Sequence, residues 1–367
     1  MKRESAEVGA TPPLWAAKEG CVPLVAADVD RRDDDGGDQL RQAPPAEPSP
    51  DAVLERRSAA DFSSEQMLRN PGERRNSRWR RAVFCLSGGL VRLPPSAAEV
   101  RENELVARVK TPIRGCRKVA FVSRKGGVGK TSTCLLAAHT FAAYRGDRVV
   151  ALDGNPDAGT LGHRVRRETS ATVTRLLTDA ETIERYADIR AYTSQASTRL
   201  EVVAADDDPQ ITQALGEEEF ERAIRLLERH YNLVCLDTGT GVLESATRGI
   251  LDSTDQVVIV GAPSLDGARA ASSTLDWLDE NGYEHLLDSA VAVLNAVRPT
   301  RGRVDLDRVE GHFASRCRAC VRIPWDPHLE AGAEVVLDEL RPATRSAYLH
   351  VTAAIAASFA DPPQRRS

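Results

Sequence analysis

The residues with the most specific chemistry form the run RKGGVGKTS at Arg124–Ser132, between an apolar stretch at 119–123 and a helix-compatible stretch at 131–144. Glycines let a backbone curl so that several N–H groups point at one anion, and a helix N-terminus adds partial positive charge. We therefore predict a phosphate-binding P-loop in which Lys130 contacts the β- and γ-phosphates and Thr131 ligates Mg²⁺. The predicted nucleotide-contacting residues here are Gly126, Gly127, Val128, Gly129, Lys130, Thr131 and Ser132.

The run departs from the common pattern G-x-x-x-x-G-K-[ST] at two positions. Arg124 stands where that pattern has its first glycine, and a second lysine, Lys125, directly precedes the double glycine. The alternative interpretation is a lysine on a solvated loop or a chance glycine-rich turn. The position of the run between a strand and a helix disfavours it.

Two carboxylates follow later apolar runs. Asp153 ends the run at 148–152 and opens DGNPD, and Asp237 ends the run at 233–236 and opens DTGTG, in the form of a Walker B motif. Asp153 could hold an Mg²⁺-bound water or orient the attacking water, and turn chemistry alone is the alternative interpretation for it. Asp237 would bind Mg²⁺ through water. We predict a metal site formed by Thr131, Asp153 and Asp237.

The elements that must position these groups alternate between strand and helix from Arg117 onward. Buried strands without polar alternation, joined by amphipathic helices, predict an α/β fold with a doubly wound, mostly parallel sheet of the P-loop NTPase type. Ligands of such sheets bind at the carboxyl ends of the strands. The predicted strands are 119–123, 148–152, 200–204, 232–236, 256–261, 290–296 and 319–323, and the predicted helices include 96–109, 131–144, 218–230, 266–281 and 344–359.

Composition divides the chain into four parts. We predict a disordered Pro/Asp/Arg-rich leader at 1–75, an Arg-rich and helical connector at 76–116, a P-loop ATPase domain at 117–360 and a disordered tail at 361–367. The arginines around Trp79 are open to two interpretations: contact with anionic lipid, nucleic acid or an acidic partner, or a solvated linker.

The net charge of −5 argues against a protein that coats nucleic acid by bulk charge, but it permits a local basic patch. The start of the chain has no signal-peptide pattern, and the chain has no apolar run long enough for a transmembrane segment. The seven scattered cysteines are expected to be reduced thiols. These features predict a cytoplasmic protein and leave open peripheral contact with the inner face of the cell membrane.

The string KGGVGKT, followed in chain order by Asp153 and Asp237, resembles the deviant Walker A motif of the MinD/ParA family of P-loop ATPases (SIMIBI type). The resemblance implies a homodimer that sandwiches two ATP molecules, with Lys125 reaching the nucleotide of the opposite copy. It also implies a catalytic set of Lys125, Lys130, Asp153 and Asn155. Asn155 stands where the family has a second carboxylate, so hydrolysis is expected to be slow.

Two further residues match family positions that contact the nucleotide base. Asn295 corresponds to an asparagine that contacts adenine, and Pro324 to a proline-bearing loop that lines the base pocket, although a strand-ending turn would also explain each. Together they favour ATP over GTP. The sequence ALDGNPDAGTL at 151–161 is similar to the corresponding segment of an actinobacterial, EspI-like group of MinD/ParA-like proteins associated with type VII secretion.

Three functional hypotheses follow. The first is an ATP- and Mg²⁺-dependent dimerising switch that slowly hydrolyses ATP and responds to an activating or effector protein. The second is a partition ATPase that binds DNA non-specifically in the ATP state. The third is a non-catalytic ATP-binding scaffold. The DNA surface of the second hypothesis would use Arg298, Arg301, Arg303, Arg316, Arg318 and Arg322.

Overall fold

The computed structural model describes residues 96–155, 159–208, 210–211, 215–239, 245–299 and 304–361. The predicted leader, the arginine cluster around Trp79 and nearly all of the predicted tail lie outside these residues. The division of the chain into leader, connector and ATPase domain therefore stays a prediction.

Eight strands form one sheet in the order β3-β4-β2-β5-β1-β6-β7-β8. Neighbouring strands are parallel throughout, except that the edge strand β3 runs antiparallel to β4. The sheet order confirms the predicted doubly wound, mostly parallel α/β fold. The strands are β1 (Arg117–Val122), β2 (Val149–Gly154), β3 (Ser194–Gln195), β4 (Glu201–Val203), β5 (Leu233–Thr238), β6 (Gln256–Gly261), β7 (Val291–Asn295) and β8 (Ala319–Ile323).

Helices connect the parallel strands and cover both faces of the sheet. Those within the described residues are α1 (Ala97–Val109), α2 (Lys130–Tyr144), α3 (Val173–Thr178), α4 (Tyr186–Ile189), α5 (Glu217–Glu228), α6 (Ser245–Asp252), α7 (Leu265–Glu280), α8 (Glu284–Leu287), α9 (Leu306–Ala314), α10 (Pro327–Glu330) and α11 (Pro342–Ala356). Short 3-10 turns occur at Gly162–Arg164, Ala180–Thr182, Arg190–Tyr192 and Leu337–Glu339.

The central strand β1 shows why the apolar runs lack polar alternation. All its residues are buried, because successive side chains enter two different cores. Val119 and Phe121 pack into the core beneath α2 and α11, and Ala120 and Val122 pack into the core on the opposite face. This central position fixes the P-loop, which directly follows β1, at the middle of the carboxyl edge of the sheet.

Helix α1 begins with a capping box formed by Ser96 and Glu99. The Ser96 N–H donates to Glu99 Oε2 at 2.8 Å, and the Glu99 N–H donates to Ser96 Oγ at 3.2 Å. The helix packs against α11, and the buried Arg145 guanidinium donates to the carbonyl of Val109, the last helical residue, and to that of Thr111 just beyond it. The last part of the predicted connector is thus joined to the sheet domain by direct contacts.

Helix α11, which overlaps the predicted helix at 344–359, packs against the sheet domain. Tyr348 and Ile355 are fully buried, and the helix contacts α2, β7 and β8. Within the described residues, no helix is both long enough and apolar enough to cross a bilayer.

Candidate functional site

The P-loop turns sharply between β1 and α2. Gly127 and Gly129 adopt the left-handed conformation, with φ of 72° and 81°, which side chains other than glycine rarely tolerate. A Cβ at Gly129 would also overlap the Asn295 amide. At the start of the loop, the Lys125 N–H donates to Ser123 Oγ at 3.2 Å, and this hydroxyl donates back to the Lys125 carbonyl. The loop therefore has the curled backbone that a phosphate cradle requires.

Lys130, the first residue of α2, points into the sheet edge. Its Nζ lies 2.6 Å from Asp237 Oδ1 and also donates to the Thr238 carbonyl. The Lys130 and Asp237 side chains are 8% and 0% exposed. The second Asp237 oxygen, Oδ2, is buried and has no hydrogen-bond partner, which is unusual because buried carboxylate oxygens are normally satisfied.

Asp153 lies beside Asp237, because the two residues are register partners on the adjacent strands β2 and β5. Asp153 accepts hydrogen bonds from the Asn155 N–H at 3.3 Å and from the Leu161 N–H at 2.9 Å. Burial, together with the Asp237 carboxylate, nevertheless raises the pKa of Asp153 to about 7. Two adjacent buried carboxylates thus meet at one point of the sheet edge, where a divalent cation would relieve their repulsion.

These donors fit a magnesium ion. Mg²⁺ prefers oxygen ligands, and Asp237 Oδ2 is a buried oxygen with no other partner. Thr131, the second residue of α2, is half-buried beside Lys130. The structure thus brings Asp153 and Asp237 together at neighbouring strand ends and leaves one oxygen available, as a hard cation requires. The assignment of Thr131, Asp153 and Asp237 as ligands stays a prediction.

The two predicted catalytic residues outside this buried cluster are more accessible. Lys125 is exposed, and no described side chain forms an ion pair with it. Asn155 is half-buried just after β2, with its backbone N–H bonded to Asp153. The loop that follows Asn155, at 156–158, lies outside the described residues. An exposed cation at the rim of a nucleotide site can contact a second molecule.

The predicted base-binding residues lie at the ends of β7 and β8. Asn295 is buried, and its amide donates to the Val128 carbonyl at 3.0 Å, so it also braces the P-loop. Pro324 lines an apolar cavity of about 350 Å³. The cavity thus lies at the carboxyl ends of β7 and β8, where parallel sheets bind ligands. The residues lining it are Pro263, Leu294, Ala296, Leu306, Arg322, Ile323, Pro324 and Trp325.

Two residues near the site, Gly159 and Arg164, were not among the predicted site residues. Gly159 approaches the Asp153 carboxylate so closely that a Cβ at this position would overlap it. Arg164 donates from Nη1 to Ser132 Oγ at 3.0 Å. The contact of Arg164 with Ser132 follows from no spacing pattern that sequence reasoning could use, because this part of the chain folds back to the P-loop only in three dimensions.

The basic surface that the DNA-binding hypothesis requires is partly neutralised. Arg316 pairs with Asp276 at 2.7 Å, and Arg322 pairs with Asp307 at 2.6 Å. Arg298 and Arg318 are exposed, and Arg301 and Arg303 lie outside the described residues. Internal ion pairs reduce the positive potential that phosphate contacts need.

The doubly wound sheet, the curled P-loop and the paired strand-end carboxylates define a MinD/ParA-like P-loop protein. Residues 116–286 match the AAA domain family. The chain is 38% identical over 283 residues to the ESX-1 secretion-associated protein EspI of Mycobacterium tuberculosis, and the match covers 77% of this chain and 42% of EspI. The chain is thus related to EspI, has the MinD/ParA-like P-loop fold and spans less than half the length of its curated relatives.

Solved structures show the same fold. A ParA family ATPase from Chlorobium tepidum is similar with a TM-score of 0.56 at 19% identity, over 65% of this chain and 98% of that structure. The septum site-determining protein MinD of Pyrococcus horikoshii, complexed with Mg-ADP, is similar with a TM-score of 0.50 at 17% identity, over 65% and 94% of the two chains.

Proposed function

We propose that this chain is an ATP-dependent dimerising switch that binds Mg-ATP, hydrolyses it slowly and controls a partner machinery. One observation carries most of the proposal: Lys130 at the P-loop is joined to Asp237, whose second oxygen is buried without a partner beside Asp153. A phosphate-binding lysine and two carboxylates converge here on a helix N-terminus. That combination suits a phosphate group bound together with a divalent cation.

The nucleotide-binding part uses the P-loop backbone from Gly126 to Gly129, the Lys130 ammonium and the hydroxyls of Thr131 and Ser132. Thr131, Asp153 and Asp237 would hold Mg²⁺, which neutralises phosphate charge when bound. The Mg-ADP named for the P. horikoshii MinD structure supports an adenine nucleotide and Mg²⁺ as the bound groups. The apolar cavity lined by Pro324 would receive the adenine.

Hydrolysis depends on residues that orient water at the γ-phosphate. The Asn155 amide can hold a water molecule by hydrogen bonding but cannot accept its proton at neutral pH. Positioning by Asn155 and charge stabilisation by Lys130 therefore remain the main contributions of this chain. This supports a low turnover without an activating partner.

Dimerisation is the step that would convert nucleotide binding into a signal. Lys125 is exposed at the rim of the P-loop, and a second copy facing it across two nucleotides would bring each Lys125 near the phosphates of the other copy. Phosphate charge favours a cation at this position. ATP-bound and ATP-free chains would then present different surfaces to an activating or effector protein.

The relation to EspI suggests the machinery that this switch serves. EspI is named as an ESX-1 secretion-associated protein, and this chain matches 42% of its length. We propose a role in regulating or positioning type VII secretion from the cytoplasmic side, with peripheral membrane contact as one means of localisation.

The proposal is tested by measuring nucleotide binding calorimetrically with ATP, ADP and GTP, with and without Mg²⁺. We expect ATP and ADP to bind in a Mg²⁺-dependent manner, GTP to bind at least about tenfold more weakly, and Lys130→Ala to lose binding. Equal binding of ATP by the wild-type protein and Lys130→Ala, or no binding at all, would refute the nucleotide site.

A non-catalytic ATP-binding scaffold is the second candidate, and Asn155 is the residue that favours it. Turnover measured at saturating Mg-ATP separates the two: phosphate release that Lys130→Ala abolishes supports the switch, and its absence in the wild-type protein, with binding intact, supports the scaffold. The DNA-binding alternative requires ATP-dependent retention of DNA at low salt. The ion pairs of Arg316 and Arg322 argue against it.

A further inference from the structure

Arg164 lies at the end of the 3-10 turn Gly162–Arg164, which follows β2 in the chain. The backbone on both sides of this turn is held in place. The Leu161 N–H donates to Asp153 Oδ2 at 2.9 Å, and the Arg164 carbonyl accepts the Val335 N–H at 2.9 Å. The position of the Arg164 backbone is thus tied to the carboxylate cluster of the candidate site.

The Arg164 side chain reaches the N-terminus of α2. Its Nη1 donates to Ser132 Oγ at 3.0 Å, and its Nε is buried without a hydrogen-bond partner. Among the described residues, no carboxylate lies within ion-pairing distance of it. Burial lowers the pKa of Arg164, and only the charge of Asp237 opposes this effect.

A guanidinium in this position is incompletely satisfied. It offers five N–H donors in a rigid planar fork, and leaving a partly buried cation without an anion is unfavourable. An anion bound by the backbone N–H groups at the start of α2 would lie next to Ser132 and hence next to Arg164. Phosphate oxygens accept two parallel hydrogen bonds from such a fork.

We propose that Arg164 is a second phosphate-binding cation of the nucleotide site, acting from the same chain in addition to Lys130. The inference rests on the proposed Mg-ATP site and extends it by a residue outside the P-loop. The Leu161 N–H donates to Asp153 directly before the turn that carries Arg164. This hydrogen bond links the carboxylate cluster to the proposed phosphate contact. The ligand class is a nucleoside di- or triphosphate.

A purely structural role for Arg164, as a brace for Ser132, makes a different prediction. In that case Arg164→Ala would not weaken nucleotide binding any further in a Ser132→Ala background. If Arg164 binds phosphate itself, Arg164→Ala weakens binding in the Ser132→Ala background as well. Arg164→Lys then recovers part of the loss, because an ammonium keeps the charge but not the fork.

The experiment is calorimetric titration of the full chain with Mg-ADP and Mg-ATP. We expect Arg164→Ala to weaken both ligands by at least about tenfold. The matched control is Arg166→Ala, which removes an exposed arginine from the same segment and should bind within about twofold of the wild type. Thermal unfolding without nucleotide gives a second readout. Arg164→Ala should unfold no earlier than the wild type but gain less stability from Mg-ADP.

The outcomes separate this inference from the proposed function. Tight binding by Arg164→Ala, combined with loss of binding in Lys130→Ala, would refute the role of Arg164 and leave the nucleotide site intact. A Ser132→Ala/Arg164→Ala variant that binds no more weakly than Ser132→Ala would likewise refute it in favour of a brace. Absence of binding in the wild-type protein would refute both the nucleotide site and the role of Arg164.

Discussion

The Lys130 ammonium lies 2.6 Å from Asp237 Oδ1, and both side chains are almost completely buried. This ion pair joins the P-loop helix to the strand end that carries the predicted metal ligand. A phosphate would draw Lys130 to its own oxygens, and Mg²⁺ would supply Asp237 with a replacement cation. Phosphate and metal should therefore bind more tightly together than either does alone.

The Lys130–Asp237 ion pair predicts that substitutions at these two residues affect the free energy of unfolding and ATP binding differently. Lys130→Ala leaves Asp237 buried without a cation next to Asp153, so we expect the free energy of unfolding to fall by about 3 kcal/mol. Lys130→Ala/Asp237→Asn removes the uncompensated charge and should recover at least half of this loss without recovering ATP binding. Chemical denaturation and calorimetry measure the two effects.

Lys125→Ala is the control for the Lys130→Ala variant, because it removes an exposed lysine from the same loop. It should leave the free energy of unfolding unchanged. A Lys130→Ala variant as stable as the wild type would show that the Lys130–Asp237 contact contributes nothing to the fold.

Gly159 provides a test of the Asp153 carboxylate position. A Cβ at Gly159 would overlap the carboxylate, although the backbone there is not in the left-handed region. We expect Gly159→Ala to lower the free energy of unfolding by about 2 kcal/mol and to weaken Mg-dependent ATP binding. Gly146 is exposed and has open space around it, so Gly146→Ala should change neither property. Equal behaviour of the two variants would contradict the close packing of Gly159 against Asp153.

Most of the fold could be predicted from the sequence, because buried parallel strands leave continuous apolar runs. Each of the seven predicted strands lies within two residues of an observed one. Strand β3 was missed because Ser194–Gln195 has only two residues and its pairing with β4 depends on the edge of the sheet.

Less of the candidate site could be predicted. Lys130, Asp153 and Asp237 follow from motif and strand-end position, and the structure brings them together. The contact of Arg164 with Ser132 arises from chain folding with no periodic signal. The hydrogen bond from Asn295 to the P-loop likewise depends on how closely β7 approaches Gly129.

His139 gives the protein a specific acid sensitivity. Its ring is buried, Nδ1 contacts Thr198 Oγ1 at 2.8 Å, and burial lowers the pKa to about 4 from an ordinary 6.5. The unfolded chain therefore takes up a proton on this residue near pH 6.5, whereas the folded chain does not. The contribution of His139 to the free energy of unfolding is thus fully present above pH 6.5 and is lost as the pH falls towards 4. Between about pH 7 and pH 5 the loss from this residue is about 2 kcal/mol.

Urea denaturation at several pH values checks this prediction. His139→Gln should lose less stability than the wild type over the same range, because glutamine takes up no proton. His350→Gln, which alters an exposed histidine of α11, should follow the wild-type slope. Identical slopes for His139→Gln and the wild type would rule out His139 as the source.

Replacing Asn155 by aspartate should increase the rate of ATP hydrolysis. A carboxylate at this position can orient the attacking water more strongly and accept its proton, so Asn155→Asp should raise turnover at saturating Mg-ATP by at least about tenfold. Asn155→Ala should show no rise, and both variants should bind ATP within a few-fold of the wild type. Phosphate-release assays measure this, and unchanged turnover in Asn155→Asp would remove Asn155 as the reason for slow hydrolysis.

The central claim is that ATP drives two copies of the chain together through Lys125. Light scattering coupled to size-exclusion chromatography, with Mg²⁺ and a non-hydrolysable ATP analogue, measures this most directly. We expect a dimer for the wild type and for Arg124→Ala, which alters the neighbouring exposed residue, and a monomer for Lys125→Ala although it still binds the analogue. A wild-type protein that stays monomeric when saturated, or a Lys125→Ala variant that dimerises like the wild type, would contradict the account.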